Sequence, residues 1–163
     1  MTTEADYTAE EWQLLVTLPA WAGFAVMIAE PKRRRDKNEI AVLSEAAQKI
    51  GPQFADNQLV QAALPDINQV NNSSVIEENR KVKDIDKVTA LAAERCGQAN
   101  VLLRSKSSGT EADGYKRFVL DTATGVADAT ADSEFFGIGG ERVSRAERRV
   151  LRKLADALDV PWE

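Results

Sequence analysis

Four carboxylates gather late in the chain, at Asp128, Asp132, Glu134 and Glu141, and four arginines follow at Arg145, Arg148, Arg149 and Arg152. Oxygen donors in that number suit a hard divalent cation such as calcium or magnesium, provided the intervening loop folds back on itself. The spacing departs from the calcium loop D-x-[DN]-x-[DN]-G, and the competing reading is a solvated acidic helix end. Two carboxylates set about 5 to 10 Å apart would also serve glycoside hydrolysis, but no aromatic groove for stacking a sugar accompanies them. The arginines fall on one side of a helix turning about 100° per residue, opposite Leu151, Leu154 and Leu158. Such a stripe can track phosphates or meet an acidic partner. Its alternative is the solvated face of an amphipathic helix, with Asp156 and Asp159 nearby.

No histidine occurs among the 163 residues, and Cys96 is the single cysteine. The usual base near neutral pH and the commonest metal ligand are therefore missing. Ser-His-Asp and Cys-His nucleophilic sites are excluded within the chain, as are zinc sites built on His or several Cys. Carboxylate, Lys, Tyr or Ser chemistry remains, and the expectation is a protein that is not an enzyme. A single thiol permits no internal disulfide and fits a reducing compartment. With 26 acidic against 21 basic residues the net charge is -5, which favours solubility and a protein partner and argues against wholesale nucleic-acid binding. The start, Met1 to Asp6, lacks the basic and apolar regions of a secretory signal. The apolar stretch Leu14 to Ala29 falls short of a bilayer span, which takes about 20 residues. A cytoplasmic location without a membrane span is expected.

Glycines at 137, 139 and 140 suggest an anion-cradling turn, but no Lys-Ser/Thr pair follows and no strand precedes. Phe135, Phe136 and Ile138 are expected to plug back onto the core; the alternative is an exposed patch through which a homodimer forms. A second basic cluster runs from Lys32 to Lys37. Cys96, between Ala92 and Ala99 on an apolar stripe, reads as a buried thiol.

These groups must be positioned by helices, because apolar residues recur at threes and fours and strand-like alternation is absent. The pattern predicts an all-α single domain over residues 1–163 with about seven helices. A capping box at Thr8 and Glu11 opens the first, which carries Trp12 and Leu15 and stops near Pro19. Proline suits the first turn of a helix, so Pro19 begins the second, which is apolar nearly all round and ends near Glu30. Asp36 and Glu39 cap a third, closed by Gly51. A short helix spans Asp56 to Leu64, ahead of Pro65, and Asn68 to Ser74 form the main loop. A long helix over Lys83 to Ser105 places Ile85, Val88, Ala92, Cys96, Ala99 and Leu103 on one stripe. A further helix spans Asp113 to Ala129 with Phe118, Val119, Thr122 and Val126 inward. Ser144, with Glu147 in the reciprocal capping position, opens the last, which ends at Leu158.

The two halves can be superposed on one another. A shift of 108 residues places Asp36 on Ser144, Glu39 on Glu147, Leu43 on Leu151 and Ala47 on Ala155, and a shift of 98 places Ala25 on Ala123 and Ile28 on Val126. Ancestry and convergence both produce this, and either way two helix hairpins are expected around the long middle helix.

The stretch from Phe118 to Val160 resembles the tellurite-resistance TerB-like family of small all-helical bacterial proteins. The resemblance rests on an acidic residue ending one helix, Asp128, and a loop leading to Val143, Ser144 and Glu147 at the start of the next. Glu30, Asp36 and Glu39 are the first-half counterparts. It implies a cytosolic, non-catalytic stress-response or interaction domain that holds a divalent cation through acidic residues. The family's Asp-Gly pair is replaced by Asp128-Ala-Thr-Ala-Asp132-Ser-Glu134, and Lys32 to Arg35 would repel a cation in the first half.

Overall fold

Thr8 and Glu11 start the first helix as the sequence predicts. The Glu11 N–H donates to the Thr8 hydroxyl at 3.2 Å, and the Thr8 N–H donates to the Glu11 carboxylate at 2.8 Å. The computed structural model describes residues 2–30, 39–69, 84–130 and 143–162, with the side chains of 39, 40 and 130 outside that description. Among the described residues there are six α-helices and no strand: α1 (Ala9–Ala29), α2 (Glu39–Ile50), α3 (Gln58–Gln69), α4 (Ile85–Lys106), α5 (Gly109–Thr130) and α6 (Arg145–Leu158). Short 3₁₀ turns occupy Glu4–Asp6 and Gly51–Phe54.

Pro19 does not divide α1. The helix runs through it for 21 residues, so the two segments expected on either side are one element, and the described helices number one fewer than expected. A proline within a helix leaves the carbonyl four residues back without its N–H partner. Here that carbonyl belongs to Leu15, and the buried Tyr115 hydroxyl of α5 donates to it at 2.5 Å. Pro65 is likewise inside its helix: α3 continues to Gln69, taking in Asn68, which was expected to begin a loop. Gln61 and Pro65 are both exposed, so water can satisfy the carbonyl that Pro65 frees. Gly51 opens the 3₁₀ turn that follows α2, with Pro52 in its first turn. The other boundaries fall within a few residues of expectation. The largest shift is at α5, which begins at Gly109, where the Ser108 hydroxyl accepts the Glu111 N–H at 3.3 Å.

Every residue from Leu15 to Ala29 is buried, and α1 touches each of the other five helices. The helix at the centre is therefore α1. The long α4, expected between two hairpins, lies to one side against α1 and α6 and exposes Val101 to 70%. α1 and α5 run in the same direction, with Leu15 beside Tyr115 and the Gly23 backbone against Val126. α2 packs on α5, and α6 packs on α1 and α4. Three contacts tie the start of α1 down. The Trp12 indole donates to Asp66 at 2.7 Å, the Tyr7 and Ser107 hydroxyls share a 2.8 Å hydrogen bond, and Lys106 meets Glu11 at 2.6 Å. Thr2 also donates to the Glu111 carboxylate.

Candidate functional site

The arginine stripe stands on α6, a helix whose ends are both defined by local chemistry. The Ser144 hydroxyl accepts the Glu147 N–H at 3.1 Å, and Asp159 adopts the left-handed conformation at φ 59° that closes the last turn. Val150, Leu151, Leu154, Ala155 and Leu158 are buried on one side. Arg145, Arg148, Arg149 and Arg152 are all exposed on the other, as their spacing predicts. Glu147 is 1% exposed, inside the bundle rather than at the helix surface.

A groove of about 530 Å³ borders that stripe. Arg149 and Lys153, one turn apart on α6, form one wall, and Asp84 and Asp86 at the start of α4 belong to the lining as well. Its apolar surface comes from Ala29 at the end of α1, Ile85 on α4, and Ala146 and Val150 on α6. Asp84 is fixed by its capping role, its carboxylate accepting the Asp86 N–H at 3.0 Å. Among the described residues neither Arg149 nor Lys153 is ion-paired. Arg145 continues the row of Arg149 and Lys153 beyond the groove by i, i+4 spacing, while Arg148 and Arg152 form a second row on the outer side.

Sequence reasoning placed four arginines together and left Lys153, Asp84 and Asp86 out. The signal for Asp84 was available: an aspartate directly before the first residue of an apolar-periodic run is a helix N-cap. Lys153 lies at the edge of the stripe, and only the position of α4 beside α6 brings it to the groove.

The candidate cation ligands are not assembled by the described residues. Asp128 is exposed near the C-terminal end of α5, and Asp132, Glu134 and Glu141 lie outside the described residues. Among the described residues, no group of three or more His, Cys, Asp or Glu side chains is placed to hold a metal ion. The Lys32–Lys37 cluster, Phe135, Phe136, Ile138 and the glycines beside them also lie outside.

Elsewhere the titratable groups have structural surroundings. Burial pushes the Cys96 thiol up to about 12. The fully buried Tyr115 hydroxyl is raised well above 10.0 by the same cause. Burial also raises Asp121, against a lowering pull from Arg117, whose guanidinium donates to the Pro161 carbonyl at 3.1 Å. Arg95 stacks over the Trp21 ring at 4.5 Å, a cation–π contact joining α4 to α1.

Continuous through Pro19, α1 is long and apolar enough to cross a membrane by length and composition, with a mean hydropathy of 1.6. The expected shortfall in length is thereby corrected. Within this fold 89% of the 18-residue apolar window of α1 is buried. No family model matches this chain, and neither a curated protein nor a solved structure does.

Proposed function

We propose that the chain is a non-enzymatic helical interaction domain that holds an acidic segment of a partner protein against the basic face of α6. The observation that carries this reading is the placement of five exposed cations, Arg145, Arg148, Arg149, Arg152 and Lys153, on one helix of a chain whose net charge is -5. Helix stability does not account for the two at its start. Arg145 and Arg148 occupy the first turn, where the helix dipole disfavours positive charge. An acidic partner would bring counter-charge to Arg149 and Lys153, which are not ion-paired among the described residues, and its binding would weaken with salt. Fluorescence anisotropy with a labelled hexaglutamate peptide and a labelled DNA duplex, each at low and high salt, tests the reading. Salt-sensitive peptide binding that the R145E/R152E variant lowers about tenfold is expected. Tighter binding of the duplex would overturn it in favour of nucleic acid.

A second reading follows the TerB-like resemblance: a cytosolic stress-response domain of two related hairpins holding a divalent cation through Asp128, Asp132, Glu134 and Glu141. It draws support from the contact arrangement, in which α1 and α5 pair while α2 lies on α5 and α6 lies on α1, as two exchanging hairpins would. Titration calorimetry with calcium, magnesium and zinc tests it, and no heat at millimolar metal removes it.

A further inference from the structure

We infer that the groove between α1, α4 and α6 receives an extended peptide segment in which an acidic, an aliphatic and a basic residue follow one another. The inference rests on the acidic-partner reading of α6 and adds to it a sequence signature and a direction. Arg149 and Lys153 on α6 offer positive charge, whereas Asp84 and Asp86 at the start of α4 offer negative charge. Ala29, Ala146 and Val150 provide apolar surface within the same groove. A uniformly acidic segment would meet the α6 cations but be repelled by the α4 carboxylates. A segment of mixed charge satisfies both and lays its aliphatic side chain on the apolar surface. The groove's volume of about 530 Å³ takes several side chains. The basic row also continues past it at Arg145, so the occupant is longer than the groove itself. That length favours a peptide over a small zwitterion. Asp86 is the decisive residue. Asp84 is engaged in capping α4, while the exposed Asp86 side chain faces the groove without a hydrogen-bond partner among the described residues.

Anisotropy with three labelled probes tests the inference: the mixed peptide EESLSKK, its serine version EESSSKK, and the uniformly acidic EEEEEE. EESLSKK is expected to bind most tightly. K153E should weaken it about tenfold and D86K about fivefold. D86K should instead strengthen EEEEEE, because it removes a repulsion; this opposite sign separates an oriented groove from a merely basic helix. D86N, with circular dichroism as a check on folding, should weaken EESLSKK in the same direction as D86K. Unchanged or tighter EESLSKK binding by D86K and D86N overturns the inference, as does equal binding of EESSSKK. Complete displacement of EESLSKK by ε-aminocaproate overturns it in favour of a small zwitterion. If EEEEEE alone binds, this inference falls and the acidic-partner reading stands; if no probe binds, both fall.

Discussion

Tyr115 performs for α1 what an amide would have done had residue 19 been anything but proline. Its hydroxyl is fully buried and donates to the Leu15 carbonyl at 2.5 Å. Tyr115→Phe should therefore leave a buried carbonyl unsatisfied and lower stability by about 1–3 kcal/mol, measured by urea unfolding. Pro19→Ala restores the backbone donor, so Y115F should cost less in that background. The coupling between the two sites is expected to reach at least about 0.5 kcal/mol. Cys96 and Tyr115 also make stability sensitive to alkaline pH. Both are neutral acids whose ionisation burial opposes, raising them above 9.0 and 10.0 respectively. The unfolded chain therefore loses these protons first. Stability is intact below pH 9 and falls as the pH rises, by about 1.4 kcal/mol per pH unit for each group engaged. Unfolding measured across that range should show the fall begin later in Cys96→Ala.

At the scale of the helices, two glycines make opposite predictions. A Cβ on Gly23 would stand 2.6 Å from Leu43 Cδ2 and 3.0 Å from Val126 Cγ2, where α1, α2 and α5 converge. Gly23→Ala should cost about 1–3 kcal/mol through overpacking, more than the roughly 1 kcal/mol gained in helix propensity. Gly97 on α4 has nothing within 4 Å of a Cβ, so Gly97→Ala should stabilise by about 0.5–1 kcal/mol. Thermal unfolding of the pair checks both signs. The helices themselves were legible because their signals are local. The capping box at Thr8, the Ser144 hydroxyl cap and the stripe from Val88 to Leu103 sit where the pattern places them. Pro19 and Pro65 misled because the prediction treated proline as a local stop. The compensation for Pro19 comes from the Tyr115 side chain, 100 positions beyond the Leu15 carbonyl it satisfies. The site was half legible for the same reason. Exposure of the four arginines follows from one helix's periodicity, whereas the groove requires knowing that α4 and α6 are neighbours.

At the scale of the whole molecule, α1 is the feature on which the fold depends, since it touches all five other helices and is covered on every side from Leu15 to Ala29. A chain cut after Ser108 lacks α5 and α6 and should uncover much of that surface. Such a truncation is expected to sediment as aggregate and bind a hydrophobic dye while the full chain stays soluble. The same placement constrains how the protein is made. α1 emerges from the ribosome ahead of the other described helices, and α5 begins about 80 residues behind its end. At about 5–20 residues per second the nascent chain carries its most apolar segment without its α5 partner for on the order of ten seconds. A trigger for chaperone capture is thus written into the order of synthesis, and slowing translation beyond α4 should raise the misfolded fraction although the finished sequence is unchanged.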